Sequence, residues 1–565
     1  MYGQRFQFRL LSVTMLFLVM AAPATERNDR CSPIAAQEPV SQTRDEFLAE
    51  VRETFQLTAP SREGGTVIVA ERDPITEFNG LLVSSWPNRY VSQLIYEGLA
   101  TLSPIDGTPA PQLADSWEVS PDGRTYTFRL SKEATWHDGV DFTAQDVTFS
   151  YDAVKSGQIP NGSLPALDDL TFRAVDDDTF EITVDTPTVT FLWSVPAAIP
   201  ILPKHLWESV DPADWDGDPG STGADPERVI GTGPFLFQEH NPADDSVTLA
   251  ANADHYSTPP ALDTVVVRNV EDEDRLPLLQ SDEIVMAEGI AEAWVEDDIN
   301  QGTLNQRLFP AIRMTYFTYY TVRPPLDDVL VRQALYIGLD RDKIIKDINF
   351  GFGSVPTGTH PRMSIAYAPD AIQDPYEFDL ERARALLEEA GWSDSDRDGD
   401  VEKDGRPLQL DIVGSEGMRS LMEALEQQWR ELGVSTHISD DPWDNVEAKA
   451  QGENYEFDIY VGNARLRCHA DEADFFGSEG SRNYTGWSDE RYEALQQQQL
   501  GEFDVAKRRD LLVQQSNIAW NELPIGILRF FDITIVWSAE INNFNPNDLG
   551  GTYWSLPFVW IDESG

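Results

Sequence analysis

From Gly65 to the C-terminus the chain keeps switching between two hydrophobic periods, and this switching restricts the folds open to it. Tyr126, Phe128 and Leu130 alternate with polar residues, and Phe180, Ile182 and Val184 do the same. So do Leu408, Leu410 and Ile412, and then Phe457, Ile459 and Val461. A period of two marks a strand with one buried face, and Thr66 to Ala70 adds a β-branched strand. Between these runs the period lengthens to that of a helix. Asp379 can cap a helix whose apolar stripe is Leu380, Ala383, Leu386, Leu387 and Ala390, ended by Gly391. A second helix spans 419–432 and is closed by Gly433. Strands mixed with helices in one chain define an α/β protein, and no solenoid-type repeat is present. The 565 residues suffice for three or four structural units.

The N-terminus has a different grammar. Arg5 and Arg9 precede an apolar stretch from Leu10 to Met20, interrupted by Ser12 and Thr14, and Ala22-Pro23-Ala24 has the small-x-small form of a cleavage site. Residues 1–24 are expected to be an export signal, the apolar run being short for a bilayer span. A polar extension or tether, 25–64, follows. Within it Phe47, Val51 and Phe55 recur every four residues, which predicts a short amphipathic helix. Cys31 and Cys468 are the two cysteines. Asn28-Asp29-Arg30 before Cys31 do not suit a lipidated cysteine, and a Cys31–Cys468 bridge stays open from sequence. Lys plus Arg number 42 against 97 Asp plus Glu, a net charge of −55. Such a surface repels nucleic acid and anionic lipid. The acids are spread along the whole chain, which is read as solvation rather than as a cation-binding block.

Ordered motifs carry a resemblance. Leu94-Ile95-Tyr96-Glu97-Gly98-Leu99 leads to Pro111-Gln112-Leu113-Ala114-Asp115-Ser116-Trp117-Glu118 and Ser120-Pro121-Asp122-Gly123-Arg124-Thr125-Tyr126. Trp136-His137-Asp138-Gly139, Phe142-Thr143-Ala144-Gln145-Asp146-Val147 and Gly231-Thr232-Gly233-Pro234-Phe235 follow. Then come Asn252 with Tyr256, Pro324-Pro325-Leu326-Asp327-Asp328, Ala390-Gly391-Trp392 and Asn483-Tyr484-Thr485-Gly486-Trp487. Together they resemble the peptide/nickel class of ABC-transporter solute-binding proteins, family 5. The resemblance implies a two-lobed, periplasmic-binding-protein-like α/β fold (type II, cluster C) with a hinge and an interlobe ligand cleft. Lobe I is expected at 65–312 plus 529–565, and lobe II at 313–528. The implied role is the extracytoplasmic substrate-binding component of an importer, closing on a small solute, foremost a short peptide. The implied partners are that ligand and membrane permease subunits, the protein itself being a monomer.

Within this frame, peptide binders of the class hold the ligand's amino terminus with a lobe II aspartate ahead of the late tyrosine turn. Asp471 and Asp474 are the candidates, with an acidic helix start as the alternative reading. Arg465 and Arg467 could instead face a ligand carboxylate, which a guanidinium binds in bidentate fashion. Trp86, Tyr316, Tyr319 and Trp443 are candidate aromatic walls, each also a plausible core residue, and 80–85 could line lobe I's face of the cleft. Metal-chelate (nickel) or oligosaccharide binding is open on the same fold, as is sensing rather than transport.

Two further features are weighed. Asp394, Asp396, Asp398, Gly399 and Asp400 form a D-x-D-x-D-G run with Asp404 nearby, a donor set that suits a structural calcium; the alternative is a solvated turn. No cofactor is otherwise expected. Trp136-His137-Asp138-Gly139 reads as a turn with a core anchor, and Gly231-Thr232-Gly233 lacks the third glycine of a dinucleotide fingerprint. The seven histidines show no zinc spacing, and no nucleophile–base motif is present. A secreted peptide hydrolase is therefore the outlying alternative, and no enzymatic activity is expected.

Overall fold

The computed structural model describes residue 31 and residues 41–562, apart from 62–63, 84, 162–163, 373, 375 and 442–456. The expected signal segment and Trp443 lie outside the described residues, as does the Trp86 side chain. No helix among the described residues is long and apolar enough to cross a membrane.

One ten-stranded sheet runs through the whole molecule. Its strands are β1 (Thr66–Glu71), β6 (Phe235–Asn241), β7 (Ser246–Ala251), β8 (Thr264–Asn269), β9 (Met286–Glu288), β10 (Leu304–Tyr319), β11 (Gln409–Ser415), β12 (Ser435–Asp441), β13 (Ile459–Arg465) and β14 (Ile525–Ser538). Their order is β12-β11-β13-β10-β14-β9-β1-β8-β7-β6. A separate four-stranded antiparallel sheet, β2 (Ala114–Val119), β3 (Thr125–Leu130), β4 (Leu170–Asp176) and β5 (Thr179–Val184), belongs to lobe I. Tyr126, Phe128, Phe180 and Ile182 are fully buried, as their alternation predicts.

The long strands β10 and β14 are the crossing between lobes. Leu304 to Pro310 pair with Ser538 to Asp532, and Met314 to Thr318 pair with Phe530 to Ile525, with the register broken between Pro310 and Met314. Extended strands cannot bend sharply while keeping their ladder, so the interruption is where the direction changes. On one side lies a core including Val67, Tyr96, Trp136, Phe180 and Val265. On the other lies a separate core including Phe317, Tyr336, Leu387, Ile412 and Trp429. Two cores joined by two strands make the two lobes, and the register break at 310–314 opposite 530–532 lies on those strands.

Four helices matter below: α1 (Arg44–Thr54), α2 (Trp86–Ile95), α3 (Leu380–Glu389) and α4 (Arg419–Arg430). Thr43 and Glu46 form a capping box on α1. Its Phe47 and Val51, with Phe55, are buried against Ala110 and Trp554 of lobe I. Arg44 pairs with Asp115 at 2.6 Å and stacks on Tyr256 at 4.7 Å. The predicted amphipathic segment is thus a packing arm. Asp379 caps α3 through the Arg382 amide, and Leu421, Met422, Leu425 and Trp429 turn α4's apolar stripe inward.

A candidate ligand site at the lobe junction

The sequence motifs of lobe I meet around the C-terminal end of α2. The Gly233 amide donates to the Ile95 carbonyl at 2.9 Å. A Cβ on Gly231 would lie 1.8 Å from the same carbonyl oxygen, so no larger residue fits. His137 Nδ1 accepts from the Gly231 amide at 3.2 Å, which leaves Nε2 carrying the proton that it gives to the Gly233 carbonyl at 2.9 Å. Burial pushes the His137 pKa down to about 4, consistent with this neutral tautomer. The Asn252 amide also donates to Gly233 O, and the Tyr256 hydroxyl reaches Glu97 at 3.1 Å. Asp138 pairs with His205 at 2.8 Å. The motif read as a turn with a core anchor is a structural lock on the C-terminal end of α2.

With its C-terminal end locked, α2 presents Arg89 and Tyr90 at the junction. Tyr90 Oη accepts from Arg313 on β10 at 2.8 Å, and Arg313 also binds Asp548 at 3.0 Å. The Asp548 side chain is fully buried, and it accepts the Ile312 amide at 2.8 Å as well. Burial disfavours the Arg313 charge, but Asp548, Tyr90 and Glu288 outweigh it and hold the group firmly protonated. Arg465, at the end of β13, donates to the Asp548 carbonyl and lies 3.8 Å from its carboxylate.

Beyond β13 the chain stays at the junction. Arg467 reaches Asp474 at 3.4 Å, and the Arg482 amide donates to the Asp474 carbonyl at 2.8 Å. The Arg482 guanidinium stacks on Phe475 at 5.6 Å and has no carboxylate partner among the described residues. Burial, and then the charges of Arg465, Arg467 and Arg482, bring the Arg89 pKa down to about 10. Glu71 and Glu288 lie further into lobe I with Arg275 and Tyr553; burial raises Glu71 to about 7.

The lobes touch beside this cluster. The Val189 amide donates to the Leu500 carbonyl at 3.0 Å, and Trp193 meets His469 edge-on at 6.4 Å. Cys468 is bonded to Cys31, with Cα atoms 5.4 Å apart, next to Gly107 and Leu549 of lobe I. The bridge left open by the sequence is formed.

The predicted site residues divide. Arg465, Arg467 and Asp474 are at the junction, with the Arg467 and Asp474 side chains about half exposed. Asp471 accepts from the Ala473 amide at 3.1 Å and from Gln496 at 2.8 Å, so it caps a short turn. Tyr319 is fully buried in the lobe II core with its hydroxyl on the Arg332 carbonyl; its expected place on a cleft wall is corrected, because β10 turns that face inward. Tyr316 is likewise buried, packed on Tyr460 and Phe475. Arg89, Arg313, Arg482 and Asp548 were missed. The scarcity of basic residues in so acidic a chain is a signal that could have drawn attention to the three arginines, whereas Asp548 is one acid among many.

In the acidic run, Asp394, Asp396 and Asp398 bring carboxylate oxygens within 4.8 Å of one another, all exposed. Asp400 turns away to accept from the Ser435 hydroxyl at 3.3 Å, and Asp404 occupies a left-handed turn position. The latter two do not join the group.

The two lobes, the crossing strands and a site built from both sides define a hinged binding protein. The family model described as bacterial extracellular solute-binding proteins, family 5, matches residues 108–484, and the chain belongs to this family. It is 27% identical over 522 residues to the dipeptide-binding protein of Escherichia coli, covering 87% of this chain and 94% of that one. Its fold is similar to that of the oligopeptide-binding protein AppA of Bacillus subtilis in complex with a nonapeptide. That match has a TM-score of 0.78 and 21% identity, covering 89% of this chain and all of the other. NikA of Brucella suis in complex with Fe(III)-EDTA matches with a TM-score of 0.75 at 21% identity, covering 88% of this chain and all of the other.

Proposed function

We propose that this protein is the extracytoplasmic substrate-binding component of an ABC importer and captures a short peptide between its lobes. The observation that carries the reading is a site assembled from α2 of lobe I and residues 465–482 of lobe II. A ligand touching both stabilises the closed arrangement over the open one. The relatedness to a dipeptide-binding protein supports the ligand class. The signal-like N-terminus supports export to the periplasm or the outer face of the cytoplasmic membrane. Permease subunits are the proposed partners, the protein works as a monomer, and it has no catalytic role. Capture of a metal chelate is the second reading, favoured by the guanidinium groups at the junction. A structural calcium at Asp394, Asp396 and Asp398 is proposed as a separate feature.

A thermal-shift panel of di- to pentapeptides, oligosaccharides and metal chelates tests the reading. A ligand that binds the native state raises Tm with the logarithm of its concentration. Peptides are expected to do so. A response confined to sugars or chelates would refute the peptide assignment while leaving solute capture in place.

A further inference from the structure

Among the described residues, the Trp and Phe side chains left exposed are Trp294, Phe350 and Phe378, and two of these three touch each other. Trp294 is 55% exposed and Phe350 68%, and their rings meet edge to face with centroids 6.1 Å apart and planes at 66°. That is a geometry aromatic quadrupoles favour. A single exposed apolar side chain is ordinary, but a contact that gathers two of the three calls for a reason.

The two rings belong to different lobes. Trp294 lies in the first turn of the helix Glu292–Gln301, and its neighbour Val295 is fully buried with Ala70, Ala287, Leu304 and Val536 of lobe I. Phe350 follows the helix Arg341–Ile348, whose Ile344 packs into the lobe II core with Phe317 and Trp429. The turn that carries Phe350 is fixed to the lobe II half of β14. Ser354 exchanges two backbone bonds with Phe530, at 2.9 and 3.0 Å, and the Phe352 carbonyl accepts from Arg529 at 2.6 Å. Phe350 itself has φ +53°, a left-handed conformation that glycine adopts freely and a bulky side chain does not. A ring is thus kept at an exposed position where glycine would be the easier residue.

Alternation along β1 shows on which side of the sheet this contact lies. Val67 and Val69 face the large lobe I core that contains Tyr90 of α2, whereas Ala70 faces the smaller cluster of Val295. Trp193, which meets His469 of lobe II with centroids 6.4 Å apart, packs on the Tyr90 side. Trp294 stands on the helix of the other side. One aromatic contact between the lobes is therefore made from each side of lobe I's sheet. We propose that Trp294 and Phe350 form a clasp that holds the lobes in this arrangement and sets the free energy of rotating them about β10 and β14. This rests on the hinged two-lobe fold and not on which solute is captured. Trp294 moves with lobe I and Phe350 with lobe II, so rotation that parts the rings returns both faces to water. A contact made in one arrangement only shifts the balance by its full worth. An aromatic pair of this kind is worth about two- to tenfold in that balance.

The test needs no ligand, so its outcome is independent of the peptide assignment. Spin labels attached through Glu208→Cys in lobe I and Glu423→Cys in lobe II, both exposed positions, report the distance between lobes by pulsed EPR with the Cys31–Cys468 bridge intact. Trp294→Ala and Phe350→Gly should each change the ratio of lobe arrangements about two- to tenfold, away from the parent's main distance. The double variant should move it no further than the larger single change, because either substitution already removes the contact. Trp294→Phe, which keeps a ring, should retain the parent's distribution. Phe350→Gly relieves the left-handed backbone, so its Tm should not fall, which separates loss of the clasp from loss of the fold. Superimposable distributions for the parent and both single variants would overturn the clasp. Shifts that add in the double variant would overturn it too, since they would come from two independent effects. A Trp294→Phe chain displaced as far as Trp294→Ala would do the same, by showing that ring contact is not what holds the lobes.

Discussion

The exposed acidic turn around Asp394–Asp398 and the arginine cluster at the lobe junction are both collections of like charge, yet they obey different economics. In the turn, three carboxylates converge within 4.8 Å and all are exposed, so the repulsion is screened by water and salt. At the junction, guanidinium groups converge where Asp548 is wholly buried and Arg465 is mostly so. There the dielectric is lower, each interaction is larger, and every charge needs a reason. Like charge on an exterior is therefore weak information about function, whereas like charge at an interface between moving parts is strong.

The largest effect expected from this contrast comes from removing the junction's shared carboxylate. Asp548→Ala leaves Arg313 and Arg465 without their common acceptor and orphans the Ile312 amide. Breaking a buried pair from one side costs about 3–5 kcal/mol. Urea unfolding should show a loss of that size, while Asp396→Ala in the turn should stay within about 0.5 kcal/mol. Comparable losses at the two positions would erase the distinction.

Next comes the bridge between Cys31 and Cys468, which ties the N-terminal extension to lobe II while α1 is packed on lobe I. Cys468→Ser should lower stability by about 2–4 kcal/mol, since the bridge restricts the unfolded chain over a sequence separation of 437. The measurement is the denaturation midpoint of the variant against the wild type, both at fixed ionic strength. A variant of unchanged midpoint would mean that the extension contributes nothing to the junction's integrity.

Where burial on one face writes a period into the residues, the secondary structure could be read from the sequence. Tyr126, Phe128 and Leu130, or Leu421, Leu425 and Trp429, leave little choice. The lobe I motifs were also recognisable, and Gly231 shows why: one atom beyond hydrogen would strike the Ile95 carbonyl. The site was less readable. Tyr319 and a cleft-lining tyrosine look alike in sequence, and which one results depends on the face β10 turns inward past its register break. Arg89, Arg313 and Arg482 lie far apart along the chain and share no spacing, so no local pattern marks them.

A smaller effect, with a defined sign, belongs to the lock behind α2. Burial lowers His137 from 6.5 to about 4, so between these values the unfolded chain binds the proton and the folded protein does not. The stabilisation from neutral His137 is complete above pH 6.5 and is lost as pH falls toward 4, amounting to at most about 3 kcal/mol. His137→Gln should flatten that part of the stability–pH curve relative to the wild type. An identical slope in both proteins would place the acid sensitivity elsewhere.

The smallest effect returns to the turn. Calcium at Asp394, Asp396 and Asp398 would organise a segment that packs little apolar surface, so millimolar calcium should raise Tm by only a few degrees. The triple replacement of these aspartates by asparagine should abolish that rise. Raising sodium chloride instead should stabilise both proteins alike, because it screens the −55 charge of the whole surface.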